Sequence, residues 1–214
     1  MQKIGMYWSH IPGYQDRQTC QFCKRIETME HILITCNNRP TRVIWQLARE
    51  IWPSQTYNWP EISLGLILEC GTITSPRGDT HPNIPQVEQN RRTHHTKGAT
   101  CLIQITLIES AHLIWVLQCE RVIRGIQHSD GEIKARWIHT INTRLTDYKI
   151  TATKIKREKE FQNLIKATWE PALQILGELP EDWLYSASKN RSSVLNFLIV
   201  LAIPHAPERV GTCN

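Results

Sequence analysis

The sequence predicts a mainly α protein, in which a small N-terminal module rich in cysteine and histidine is followed by a helical bundle. Apolar side chains recur three and four residues apart in several long segments, which is typical of amphipathic helices. No long run alternates between polar and apolar residues, so strands are not expected. The chain has 214 residues, of which 41% are hydrophobic, and it can therefore bury a substantial core.

Composition and pattern divide the chain into five regions. The first is polar and turn-rich, and the second holds two short helices, predicted at 41–52 and 61–70, that pack on it. The third contains several prolines and lacks periodicity, so we expect a flexible linker there. A helical bundle and a divergent tail without pattern complete the chain. The regions are residues 1–40, 41–70, 71–98, 99–183 and 184–214.

Three helices are expected in the bundle. The first, over 99–125, has the widest apolar stripe, and the polar residues at its end are expected to reach solvent: Gln118, Glu120, Arg121 and Arg124. Ser129 is the predicted N-cap of the second helix, which extends to about residue 148. The third covers 155–176, and Pro171 is expected to kink it or to begin a new segment.

Cysteine usage and hydropathy favour an intracellular protein of the nucleus or cytoplasm. The seven cysteines are odd in number and no secretory signal opens the chain, so reduced thiols are expected. No membrane span is expected either, because polar residues such as Gln104 and Glu109 interrupt the most apolar segment. The formal net charge of +5 is too small to prove a nucleic-acid partner.

Cys20, Cys23, His31 and Cys36 form a C-x2-C-x7-H-x4-C pattern. Two cysteines separated by two residues can point into one turn, and the second pair completes a tetrahedron of soft ligands that suits Zn(II). Four protein ligands leave no coordination position of the metal open, so the site is expected to stabilise the module and not to be catalytic. The alternative is four unrelated residues. A helix that carries His31 must end before Cys36, because an ideal α-helix would turn these two side chains apart.

The run KIGMYWSHIPGYQDRQTCQFCKRIETMEHILITC, followed by RVIWQLAREIW, resembles the zinc-binding segment of non-LTR retrotransposon polyproteins. The resemblance continues through WPEISLGLIL, LIESAHLIWVLQCERVI, EIKARWIHTINTRL and LPEDW, and covers most of residues 1–183. In fungal elements this segment follows a reverse transcriptase and a ribonuclease H domain. The resemblance implies that Cys20, Cys23, His31 and Cys36 are zinc ligands and that other parts of the polyprotein are partners.

The chain is expected to be a truncated remnant without enzymatic activity. Nothing that resembles a polymerase or nuclease precedes Met1, and the tail departs from the usual ending of the family. Ribonuclease H and polymerase chemistry require converging carboxylates that hold two metal ions, and the aspartates here are isolated. Glu109 and His112 lie one helical turn apart and imitate an acid/base pair, but they are expected to form hydrogen bonds within the bundle.

Basic residues are concentrated near the end of the second bundle helix. Between residues 134 and 159 there are eight basic residues against Asp147 and Glu158. They favour a weak, non-specific RNA or DNA surface, with five candidate residues: Lys149, Lys154, Lys156, Arg157 and Lys159. A merely solvated helix face is the alternative, in which case the chain would be a protein-interaction or structural remnant. The aromatic residues near the cysteines either stack on bases or pack the module.

Overall fold

The computed structural model describes residues 4–54, 57–73, 86–155, 159–176, 179–181 and 183–185; for 86–94 and 176 it gives the backbone only. Helices dominate this part of the chain, and the Cys/His cluster precedes them, which confirms the predicted fold class. The described residues contain no strand, and their only β-pairing is an isolated antiparallel bridge between Thr19 and Ile26.

Two helices lie between the N-terminal module and the bundle. Helix α1 covers Arg39–Glu50, and the side chain of Asn38 caps it by accepting a 2.9 Å hydrogen bond from the Thr41 amide. Helix α2 is limited to Leu64–Leu68, which is shorter than the predicted 61–70. The chain then tightens into a 3-10 turn, Cys70–Thr72.

Helix α3, Gln86–Arg124, is the longest element of the fold. The predicted flexible linker, 71–98, is therefore wrong over 86–98, where the backbone is helical; residues 74–85 lie outside the described part. Once the apolar segment has formed a helix, each further residue adds a backbone hydrogen bond without a new nucleation cost. Gly98 lies inside this helix, and a Cβ atom placed on it would lie 2.3 Å from the carbonyl oxygen of Ala167.

Helices α4 and α5 complete the bundle. Helix α4 covers Asp130–Lys154 and begins with a capping box, in which Ser129 and Glu132 satisfy each other's backbone amides, as the predicted N-cap requires. It extends beyond the predicted end near residue 148. Helix α5, Lys159–Leu176, continues through Pro171, so no new segment begins there.

The buried apolar residues form one cluster that unites all five helices with the N-terminal module. Helix α3 is central and packs against α1, α4 and α5. Its segment His95–Arg124 is long and apolar enough to cross a membrane, with a mean hydropathy of 1.6 in its most apolar window, contrary to the expectation that no segment would qualify. Of that window, 56% is buried inside the protein, as in the core helix of a bundle.

Replacement of Gly98 by alanine tests the close approach of α3 and α5. We expect Gly98→Ala to lower the free energy of unfolding by about 2 kcal/mol, because the added methyl group meets the Ala167 backbone and the helices must separate. Gly131→Ala is the matched control. It lies near the start of α4, where a Cβ atom meets nothing closer than 4.0 Å, and it is expected to leave stability unchanged or raised. Urea denaturation measures both; equal stabilities would contradict the described helix contact.

Candidate metal centre

A narrow loop holds the first two cysteines. Its two sides are joined by the bridge between Thr19 and Ile26 and by a 2.8 Å hydrogen bond from the Cys20 amide to the Arg25 carbonyl. A second 2.8 Å bond, from the Lys24 amide to the Cys20 carbonyl, closes the tip, where Lys24 adopts a positive φ of 56°. This backbone places Cys20 and Cys23 on a common turn, as their two-residue spacing predicts.

The other two candidate ligands, His31 and Cys36, are joined by a π-helical turn, His31–Thr35. The Cys36 amide donates to the His31 carbonyl at 2.8 Å, so the bond spans five residues and not four. This wider turn brings together side chains that an α-helix would direct apart. Cys36 itself is extended, which confirms that the helix ends before it.

The four side chains converge on a common point. Their potential ligand atoms all lie within 4.8 Å of one another. The Sγ atom of Cys36 is 3.6 Å from that of Cys20 and 3.8 Å from that of Cys23. A disulfide requires a separation of about 2.05 Å. Tetrahedral ligands at about 2.3 Å from a metal place two sulfur atoms about 3.8 Å apart, so the observed spacing fits a metal site.

The histidine presents one ring nitrogen without a partner. Its Nδ1 atom lies 3.2 Å from the Thr35 hydroxyl, whereas the buried Nε2 atom has no hydrogen-bond partner among the described residues. Burial lowers the pKa of His31 and so favours the neutral ring; the Glu27 charge opposes this effect and the Arg25 charge adds to it. A neutral imidazole with a free nitrogen is the form that binds metals.

Backbone amides next to the cluster point at the sulfur atoms. The Asn37 amide is the main reason that the pKa of Cys23 is lowered. Burial raises the pKa of Cys36 to about 12 despite the opposing contribution of the Asn38 amide. A bound cation would supply the positive charge that a buried thiolate at Cys36 needs. The structure therefore presents a possible metal site of three cysteines and one histidine.

A buried polar network attaches this site to the bundle. Glu27 accepts hydrogen bonds from the Gln118 amide at 2.7 Å and from Arg121 Nη2 at 2.9 Å, and Arg121 also donates to Gln118 at 2.8 Å. Contrary to the prediction, Gln118 is buried, and the Arg121 side chain is only 10% exposed. The role of Glu27 is not evident from the sequence, because its partners on α3 are far away in the sequence and follow no recognisable spacing.

The predicted nucleic-acid residues do not form one exposed surface. Lys154 and Lys159 are exposed, and Lys156 and Arg157 lie outside the described residues. The prediction that Lys149 belongs to a nucleic-acid surface is corrected, because this residue is buried at 3% exposure, with Nζ 5.6 Å from the centre of the Trp183 ring. It lies on the inner face of α4, where its aliphatic stem packs in the bundle.

Two arginines of the same basic segment are also paired. Arg136 donates to Glu120 at 2.6 Å and is the main reason that the pKa of Glu120 falls to about 2, so this carboxyl group is ionised at neutral pH. Arg144 binds Glu109. The expected hydrogen bond of Glu109 within the bundle is therefore made to α4 and not to His112, which is exposed. The positive charge of the segment is smaller than its sequence suggests.

The aromatic residues near the cysteines differ in exposure. Trp8 is buried and packs the module, whereas Tyr14 and Phe22 are 43% and 55% exposed. Comparisons with protein families, with curated proteins and with solved structures find no match. These comparisons do not identify the family that the sequence was expected to resemble, and the function has to be argued from the site.

Replacement of one ligand tests the metal site. We expect the purified chain to carry one equivalent of bound metal, and Cys23→Ser to lose it, because three remaining ligands leave the tetrahedron incomplete. Cys119→Ser is the matched control, since this half-buried thiol lies on α3 outside the cluster. Metal per chain is measured by mass spectrometry of the elements after gel filtration. Full occupancy in Cys23→Ser would refute the assignment.

Proposed function

We propose that the chain is a non-catalytic, zinc-binding accessory region of a retrotransposon reverse transcriptase and ribonuclease H polyprotein, and that it binds nucleic acid weakly. The observation that carries this proposal is the closed set of Cys20, Cys23, His31 and Cys36. These are the residues that correspond to the zinc ligands of the family that the sequence resembles. Their geometry supports a structural role, because protein atoms fill every position of a tetrahedron.

Zn(II) is the metal that this ligand set favours. Three thiolates and one imidazole are soft or borderline donors, which bind zinc far better than magnesium or calcium. Two of the four ligands come from a short loop, whose sides are joined by a single β-bridge and a few backbone hydrogen bonds. A bound metal would therefore contribute directly to the folding of the N-terminal module.

The arrangement of carboxylates supports a non-catalytic role. Within the described part of the chain, the Cys/His cluster is the only group of three or more potential ligands close enough to share one ion. Glu109 and Glu120 are each held by an arginine of α4. Acids engaged in this way stabilise helix packing and are not arranged to bind the paired metal ions of a nuclease or polymerase.

A protein-interaction role is the second candidate, and exposed apolar side chains favour it. Leu68 on α2 is 73% exposed and Ile123 on α3 is 56% exposed. Exposed aliphatic residues point to a contact with another protein where they form one contiguous patch, and these two side chains are the candidates for its members. The two functions differ in their response to salt, since apolar contacts are not weakened by it whereas phosphate contacts are.

Salt dependence of oligonucleotide binding tests the proposed function. If three or four cations contact phosphates, the logarithm of the affinity should fall with the logarithm of the salt concentration with a slope of about −2 to −4. Neutralising the basic segment should flatten this slope, since each lost contact removes roughly 0.7–0.9 from it. The variant carries four substitutions: Lys154→Gln, Lys156→Gln, Arg157→Gln and Lys159→Gln.

A control with the same change in charge separates a local surface from a general effect of net charge. It carries four substitutions elsewhere, on or near α1 and on α3: Arg39→Gln, Arg42→Gln, Arg49→Gln and Lys97→Gln. We expect this control to keep the slope of the parent chain. Absence of binding at 50 mM salt would reject the nucleic-acid role and favour a protein partner, and an equal slope in both variants would reject the basic segment as the contact surface.

A further inference from the structure

The tip of the cysteine loop exposes an aromatic ring that the metal site itself does not use. Phe22 lies between the candidate ligands Cys20 and Cys23, and it is 55% exposed. Its backbone is fixed on both sides by residues whose side chains converge on the cluster. A large apolar ring in such a constrained position loses little additional freedom when it binds a ligand.

One face of this ring is supported by a cation. The Arg121 guanidinium carbon lies 5.2 Å from the centre of the Phe22 ring, within the range of a cation–π contact. Arg121 is itself held by Glu27 and Gln118 and is largely buried. The ring therefore rests on a fixed support, and its exposed surface remains accessible to a planar ligand.

Positive charge adjoins the ring. Lys24 and Arg25 lie two and three residues after it in the sequence, and both are exposed. Neither forms an ion pair with any described residue. Since consecutive Cα atoms are about 3.8 Å apart, both long side chains begin within about 11 Å of Phe22 and can reach phosphates that flank a base on the ring. The nearby acid Glu27 is buried and bound by Arg121, so it does not cancel this charge.

We propose that Phe22, Lys24 and Arg25 form a binding site for single-stranded nucleic acid, in which an unpaired base stacks on Phe22 and the two cations contact the adjacent phosphates. This proposal deepens the nucleic-acid role proposed above and rests on it. A single exposed ring next to cations of one sign suits a stacked base and its backbone. A duplex does not offer the face of a base, so single strands are preferred.

Substitutions at Phe22 distinguish stacking from general apolar contact. The full chain with one equivalent of zinc is titrated against labelled oligothymidylate and oligouridylate, and binding is followed by fluorescence anisotropy. Phe22→Ala should weaken both affinities about tenfold, as expected for the loss of one stacked base. Phe22→Tyr should bind as the parent chain does. Phe22→Leu should behave like Phe22→Ala, because it keeps an apolar side chain but removes the aromatic face.

The cations and a distant aromatic residue provide the remaining measurements. Lys24→Gln and Arg25→Gln should each reduce the magnitude of the salt slope by about 0.7 on single strands. Tyr185→Ala is the matched control, since Tyr185 is 41% exposed and follows Trp183, which contacts α4 and α5. It should bind as the parent chain does. Zinc content and helicity are measured for every variant, so that a folding defect is recognised.

The possible outcomes separate the two proposals. If the parent chain binds no oligonucleotide, the nucleic-acid role fails and the Phe22 site fails with it. If the parent chain binds but Phe22→Ala binds equally well, only the Phe22 site is rejected. Parent-like binding by Phe22→Leu, or an equal effect of Phe22→Ala on duplex DNA, would also overturn base stacking and would indicate an apolar contact surface suited to a protein partner.

Discussion

The five residues His31–Thr35 carry the constraint on which the rest of the structure depends. Their π-turn places His31 and Cys36 on one cluster, and the same turn buries Ile32 and Leu33 in the hydrophobic core. The ligand side and the core side of this turn cannot move independently, because they share one short backbone. Metal binding and packing of the bundle are therefore two aspects of the same local structure, since Ile32 and Leu33 belong to the hydrophobic core that the helices share.

Helix α1 secures the turn from the other side. Its Thr41 hydroxyl donates to the Ile32 carbonyl at 3.1 Å, and its Trp45 indole donates to the Leu33 carbonyl at 2.7 Å. A π-turn leaves these carbonyls without the regular partners of an α-helix, and a buried carbonyl without a hydrogen bond would cost about 1–3 kcal/mol. The amphipathic helix that directly follows the cluster thus supplies both apolar surface and the missing donors.

The sequence was informative where the determinants are local. The C-x2-C turn, the end of the helix before Cys36 and the cap at Ser129 each depend on residues within a few positions of one another, and the structure contains all three. The start of α3 at Gln86 was missed because its polar N-terminal part has no apolar stripe. Gly98 resembled a linker residue, although its lack of a side chain permits contact with Ala167, which is distant in the sequence.

The difference between local determinants and contacts distant in the sequence also explains why the exposure of charged residues was predicted less well than the metal ligands. Lys149 was grouped with its sequence neighbours, but it is buried in the bundle, where its ammonium group lies 5.6 Å from the Trp183 ring on another part of the chain. Likewise, nothing in the sequence distinguishes Glu27 from the other acidic residues, because its partners Gln118 and Arg121 come close to it only when α3 packs against the module.

Attachment of the cysteine loop to α3 has a further consequence for the distribution of surface charge. Arg121 neutralises Glu27 in the interior, which leaves Lys24 and Arg25 as the exposed charges of the loop tip. In the basic segment of α4 the reverse occurs, because Glu109 and Glu120 engage Arg144 and Arg136. Helix packing therefore pairs part of the positive charge of α4, the segment in which the sequence shows most basic residues. Beside the metal ligands, where the sequence shows few basic residues, Lys24 and Arg25 stay exposed.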